Sequence, residues 1–154
     1  TISQPYIVAL TIQAMDLSPQ DRVLDVGAGS GYAAAVMSRI VDHVYAMELL
    51  PELVEQAEDR FRSLQYGNIT LRQGDGTRGW PEKSPFDAIA VAAAAALLPE
   101  NLLVQMAIGG RMVIPVGQSR WNQKLLRVAR EAEDAYRKRD LLPVRFVPLV
   151  GAEA

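Results

Sequence analysis

The sequence predicts an α/β fold, a doubly wound and mostly parallel sheet with helices on both faces. Two observations carry this. Short apolar, β-compatible runs alternate with helical patterns through most of the chain, as in successive βαβ units. The 154 residues are 49% hydrophobic and 22% charged, which suits one compact domain over residues 1–154 with a sizeable core.

Each element has its own signal. Ile7, Val8, Leu10, Thr11, Ala14 and Met15 recur at helical spacing, so Pro5 to Leu17 reads as a helix, with Ser3 and Pro5 as its start signal. Ser18-Pro19-Gln20-Asp21 is a turn. Arg22 to Val26 is short and apolar, as a buried parallel strand should be. A glycine turn follows, then a helix from Tyr32 to Val41 and a second strand from His43 to Glu48. Pro51 to Leu64 is a strong helix, with Pro51 in its first turn and Glu52, Glu55 and Glu58 on its polar side. Ile69 to Gln73 and Asp87 to Ala92 read as the third and fourth strands. Pro99 to Met106 reads as a helix closed by Gly109-Gly110, and Arg111 to Val116 as a fifth strand. Lys124 to Arg130 fits strand or helix, and Val144 to Val150 fits a strand with Pro148 near its end. In such sheets ligands sit at the carboxyl ends of the strands, near the switch in strand order.

Composition removes several chemistries. With no cysteine, there are no disulfides, thiolate metal sites or cysteine nucleophiles. With a single histidine, His43, a multi-histidine zinc site is excluded, and no metal is expected. Sixteen Lys and Arg against eighteen Asp and Glu give a net charge of −2, so neither nucleic acid nor a membrane surface is an expected partner. The longest apolar run, Ala88 to Leu98, is mostly alanine and falls short of the roughly 18 residues that cross a bilayer. With no basic leader at Thr1, a cytoplasmic location is expected.

The first strand runs into Gly27-Ala28-Gly29-Ser30-Gly31. Glycine at every second position permits a sharp turn and close approach of a ligand, and the following helix points free N–H groups at it. Glu48 ends the next strand, 21 residues after Gly27, where an acid can accept hydrogen bonds from ribose hydroxyls. Together these features predict a nucleoside-containing ligand. The dinucleotide fingerprint asks for a third glycine where this chain has Tyr32, and no Walker lysine follows the turn. Gly74-Asp75-Gly76 comes directly after the third strand; Asp75 reads either as an acceptor for an adenine amino group or as a plain Asp-Gly turn. Asp25, inside the first strand, is expected to tie the glycine loop by hydrogen bonds.

The turn Asp25-Val26-Gly27-Ala28-Gly29-Ser30-Gly31 resembles the first motif of the class I S-adenosylmethionine-dependent methyltransferases, whose Rossmann-like sheet is the fold it implies. The resemblance narrows in Thr1-Ile2-Ser3-Gln4-Pro5, Gly74-Asp75-Gly76, Pro85-Phe86-Asp87-Ala88-Ile89, Gly109-Gly110-Arg111, Val113-Ile114-Pro115-Val116-Gly117 and Arg145-Phe146-Val147-Pro148-Leu149. In order and spacing these are similar to the protein-L-isoaspartate O-methyltransferases, over nearly the whole chain.

That resemblance implies methyl transfer from S-adenosylmethionine to the α-carboxyl of L-isoaspartyl residues, which form as proteins age. The ester closes to a succinimide and reopens partly to normal aspartate, so the transfer initiates repair. By the same resemblance Ser3 is the active-site residue, and its segment, with Ile2, covers the cofactor. Glu48 and Asp75 hold the ribose and adenine. Asp25, Gly27, Ala28, Gly29, Gly31, Leu49 and Gly76 complete the expected cofactor set. The implied partners are isoaspartyl peptides and proteins, met by a monomer. Family members carry a substantial leader before the Thr-Ile-Ser segment, and the sequence reads as lacking it. They also place a threonine and prolines after the fourth strand, where this chain has Ala92 to Ala96. A non-catalytic module that binds S-adenosylmethionine or isoaspartyl peptides is the alternative; the Tyr32 position argues against a nicotinamide-dependent oxidoreductase.

The chemistry suits the composition. A carboxylate with a pKa of about 4 is ionised at neutral pH, so no general base is needed. Opposite charges are neutralised on the way to the transition state, so a dry pocket favours the reaction. Ser3 fits as a positioning group for one substrate oxygen; as a serine just ahead of a helix it also fits an N-cap. His43 reads as a strand-edge residue, Trp80 and Trp121 as packing residues or as the lining of a peptide cleft, and Arg137-Lys138-Arg139 as solvated surface.

Overall fold

A computed structural model describes residues 2–119 and 121–151; Thr1, the first residue of the opening pentapeptide, lies outside them. Helix α1 (Pro5–Met15) leads into β1 (Arg22–Val26), α2 (Tyr32–Ser38), β2 (His43–Glu48), α3 (Pro51–Ser63) and β3 (Ile69–Gln73). Two 3₁₀ turns, Gly76–Arg78 and Pro81–Lys83, precede β4 (Phe86–Val91), α4 (Glu100–Val104), β5 (Met106–Val116), β6 (Gln123–Ala132) and β7 (Ala135–Val144). The seven strands form one sheet in the order β3-β2-β1-β4-β5-β6-β7. The first five are mutually parallel, and β6 and β7 add an antiparallel meander at one side. The order reverses between β1 and β4, where the connection crosses from one half of the sheet to the other.

Side-chain alternation divides the core between two faces. On one, Val23, Val44, Ala46, Ala88, Ala90 and Val113 pack beneath Met15 of α1, Ala34 and Met37 of α2, and Ala57 and Phe61 of α3. On the other, Leu24, Val26, Ile89, Val91, Met112 and Ile114 pack against Trp80, Leu102 of α4 and Leu149. This is the doubly wound arrangement that the alternation of strands and helices predicts.

Four expectations need correction. First, α1 ends at Met15 rather than Leu17, because Asp16 turns into the left-handed region at φ 50°. Second, Gly109-Gly110 does not close a helix. Helix α4 stops at Val104, the strand begins at Met106, and the glycine pair lies where the β4–β5 register shifts, with Gly109 at φ 83°. Third, residues 145–150 are not a strand. They run as an extended tail joined to the alanine loop, with Ala94 N–H donating to Val147 O and Leu149 N–H to Ala94 O, both at 2.8 Å. Fourth, the sequence reading does not contain β7; Arg137-Lys138-Arg139 is exposed, as expected of solvated surface, but it lies within that strand. The second and third strand bounds fall where expected, as does β1; α2 is shorter, ending at Ser38.

Candidate functional site

The glycine turn leaves β1 beside the point where strand order reverses. Gly27, Gly29 and Gly31 have φ of 82°, 54° and 80°, in the left-handed region that side chains avoid. At Gly31 a side chain has no room either: a Cβ would lie 2.5 Å from the Phe61 ring of α3. The turn therefore needs glycine for conformation and for packing at once.

Glu48 sits at the end of β2, nearly buried, and braces this turn. Its Oε2 accepts from Gly29 N–H at 2.8 Å, while Oε1 accepts from Leu49 N–H at 2.8 Å and Leu50 N–H at 3.1 Å. Asp25 does not do this work, contrary to expectation. It is 1% exposed and faces α1–α3 between Ala46 and Ala90 on the adjoining strands, and neither of its oxygens has a hydrogen-bond partner among the described residues. Burial, and secondarily the Glu48 charge, pushes its pKa up to about 7. Such an orphaned carboxyl beside a glycine turn is unusual in a folded interior.

A cleft of about 880 Å³ opens over this end of the sheet. Ile2, Ser3, Gly27, Ala28, Gly29, Glu48, Leu49 and Gly76 line it, so eight of the eleven expected site residues meet at one place. Asp25, Gly31 and Asp75 are not on its wall. Asp75 holds the first 3₁₀ turn instead, its Oδ1 accepting from Thr77 N–H at 2.9 Å and Thr77 Oγ1 at 2.6 Å. Ser3 is not an N-cap. That position belongs to Gln4, which makes no side-chain cap, and the Ser3 hydroxyl has no hydrogen bond among the described residues.

The cleft also holds residues the sequence reading did not place there. Tyr6 of α1, Leu50 just before α3, Leu53 within it, and the stretch from Leu142 to Val150 form much of its wall. Only the closing pentapeptide gave any sign of this. Ala92 and Ala93 of the alanine run line the cleft as well, while Ala94 and Ala95 form isolated bridges to Pro148 and Val116. Trp80 is a core residue, edge-on to Tyr45. Trp121 is not a packing residue: it is 79% exposed. His43 opens β2, with Nε2 2.8 Å from Thr70 Oγ1. Among the described residues no cluster of acids and histidine has the makings of a metal site, and no helix is long and apolar enough to cross a membrane.

A glycine turn held at positive φ, with Gly31 packed against Phe61, and a buried acid at the end of the adjacent strand, both at one cleft, fit an adenosine-bearing ligand. Comparison with known proteins agrees. Residues 1–154 match the family model for protein-L-isoaspartate(D-aspartate) O-methyltransferase. The chain is 58% identical to protein-L-isoaspartate O-methyltransferase 2 of Pelobacter propionicus, covering 99% of itself and 68% of that relative. It is 57% identical to protein-L-isoaspartate O-methyltransferase 1 of Geotalea uraniireducens, covering 99% and 69%. A solved protein-L-isoaspartate O-methyltransferase superposes with a TM-score of 0.91 at 30% identity, over 99% of this chain and 49% of the other. A Plasmodium falciparum structure described as a putative protein-L-isoaspartate O-methyltransferase, in complex with S-adenosyl-L-homocysteine, superposes at 0.81 with 27% identity, over 97% and 76%. The chain thus spans about two thirds of these curated relatives and half of the first solved one. By family model, sequence and fold together, it belongs to the protein-L-isoaspartate O-methyltransferases, enzymes that use S-adenosylmethionine.

Proposed function

We propose that this chain methylates the α-carboxyl of L-isoaspartyl residues in the cleft where Ser3 meets the glycine turn. The observation that carries the reading is that meeting: Ser3, from the start of α1, and Gly27–Gly29, from the end of β1, line one wall-to-wall cavity although 24 residues separate them. S-adenosylmethionine, when bound, supplies an electrophilic methyl group on a sulfonium, and the products are the methyl ester and S-adenosylhomocysteine. The chain's own groups divide the remaining tasks. Glu48 holds the ribose end, with the backbone of the glycine turn, Ala28 and Leu49 packed beside it. Gly76 and the turn organised by Asp75 form the adenine end. Gly31 anchors the turn from behind, against Phe61. Ser3 donates its hydroxyl to one oxygen of the substrate carboxylate, leaving the other to react, and Ile2 covers the pair.

The remaining wall is suited to excluding water. Ala92, Ala93, Phe146, Val147 and Leu149 are apolar, and the tail that carries three of them is held by main-chain bonds to Ala94. Alignment in a dry cleft is most of what such a displacement requires. The polypeptide partners are proteins and peptides bearing isoaspartate, and the proposed setting is a cytoplasmic monomer, checked by fractionation and light scattering.

The test is transfer of labelled methyl from S-adenosylmethionine to an isoaspartyl peptide, against the matching aspartyl peptide, with cofactor binding followed by calorimetry. Base-labile label on the isoaspartyl peptide alone is expected. Tight binding of S-adenosylhomocysteine with no transfer would assign a binding role instead.

A further inference from the structure

The cleft wall carries two charged side chains among the described residues, Glu48 and Arg145. Glu48 is buried and satisfied by three backbone N–H groups. Arg145 is exposed and lies at the outer end, where the tail leaves β7. Its guanidinium stacks on Trp121, with Cζ 4.2 Å from the ring centroid. A stacked guanidinium keeps its edge N–H groups free for a planar acceptor, and stacking fixes that edge in place.

Trp121 is the most exposed large apolar side chain among the described residues, yet its surroundings are held firmly. Two residues on, Gln123 is buried and bonds the tail in both directions. Phe146 N–H donates to Gln123 Oε1 at 2.6 Å, and Gln123 Nε2 donates to Phe146 O at 3.3 Å. Asn122 N–H closes the loop onto Ser119 O at 3.0 Å. The Trp121–Arg145 pair is therefore tied to the same backbone that lines the cleft. A rigid aromatic face with an adjoining fixed cation is a peptide-contacting surface, since it offers large contact area at little entropic cost.

We propose that the stacked Trp121–Arg145 pair is a specificity subsite that receives an acidic side chain flanking the isoaspartyl residue of the peptide. This rests on the methyl-transfer function proposed above. The flanking carboxylate accepts hydrogen bonds from the edge of Arg145, while the uncovered part of the Trp121 ring packs against the peptide. Electrostatics at an open rim acts on substrate choice more than on the chemical step, so the pair sets KM across peptides and leaves kcat largely alone.

The experiment measures kcat and KM for isoaspartyl peptides that differ only in the residue before or after isoaspartate, glutamate against lysine. Wild type should prefer glutamate in one of the two positions by about fivefold in kcat/KM, the scale of exposed charge pairs of both signs. Arg145→Gln should bring that ratio to about one through KM, and Arg145→Lys should retain part of it. Trp121→Ala should raise KM for both peptides, with the KM for S-adenosylmethionine unchanged in every variant. A wild-type ratio near one, or a preference that survives Arg145→Gln, would overturn the subsite while leaving methyl transfer standing. Cofactor binding without transfer to any isoaspartyl peptide would overturn both.

Discussion

Asp21 and Asp25 stand four residues apart, one just before β1 and one within it, and they mark two ends of the molecule that are built on opposite terms. Asp21 is saturated. Its Oδ2 lies 3.0 Å from Arg111 Nη2 and accepts from Ser18 N–H at 3.0 Å. Arg111 also donates to Met15 O and Asp16 O, and Arg127 donates to Ala14 O at 2.7 Å, so the carbonyls at the C-terminal end of α1 are capped by two guanidiniums. Cations there also complement the helix dipole. At the other end of the same helix nothing comparable exists: Gln4 makes no side-chain cap and Ser3 is unbonded among the described residues. Asp25, one strand-length along, is buried without a hydrogen bond. The C-terminal end of α1 is thus tied down by side chains, while Ser3 at its N-terminal end faces the cleft unbonded and Asp25 lies orphaned behind the glycine turn.

The contrast can be broken from the larger effect downwards. Asp25 has its folded pKa raised from 3.8 to about 7, so the native state binds more protons than the unfolded chain between those values. Its cost is absent below pH 4, grows as pH rises through that window and is complete above about pH 7, reaching about 4 kcal/mol. Urea unfolding from pH 4 to 8 should show this decline, and Asp25→Asn should flatten it. An unchanged slope would mean the carboxyl is satisfied in solution.

Arg111→Leu removes a largely buried ion partner, leaving Asp21 with Ser18 N–H alone and the Met15 and Asp16 carbonyls without their side-chain donor. Stability should fall by about 3 kcal/mol, read as a lower denaturant midpoint, while affinity for S-adenosylhomocysteine measured on the folded protein changes little. Gly31→Ala should cost about 2 kcal/mol, because φ of 80° is strained and the new methyl meets Phe61. Here, unlike at Arg111, ligand affinity should fall together with stability.

Glu48→Gln should weaken S-adenosylhomocysteine binding by about 1–2 kcal/mol in calorimetry, the loss expected when charge-assisted hydrogen bonds become neutral ones. Equal affinity would remove Glu48 from the ribose site. Ser3→Ala should shift unfolding free energy by less than about 0.5 kcal/mol, as a half-exposed residue outside any cap. Transfer to an isoaspartyl peptide should nevertheless drop while cofactor affinity holds; parallel losses would make Ser3 a structural residue.

Much of this was legible in the chain. The bounds of β1, β2 and β3 follow from apolar runs between turn residues, and Gly27, Gly29 and Glu48 meet at the cleft as their spacing predicts. Edge strand β7 escaped because Arg137, Lys138, Arg139 and Asp140 look like solvated sequence. Charged residues on an exposed edge strand are also what deters edge-to-edge pairing, so the same letters serve either purpose. Asp25 misled for a related reason: its neighbours in sequence say that a buried carboxyl needs partners, and only the register with Ala46 and Ala90 shows that none is there.

The sequence by itself determined the order of strands and helices as far as β5, the glycine turn and the acid that serves it, because those depend on local conformation and on spacing along successive βαβ units. Tertiary structure alone decided that the tail from Leu142 to Val150 walls the cleft, that Arg111 and Arg127 cap a helix some hundred residues away, and that Trp121 stands at the rim beside Arg145. Those contacts join segments far apart in the chain, and no local propensity encodes which distant side chain will face which.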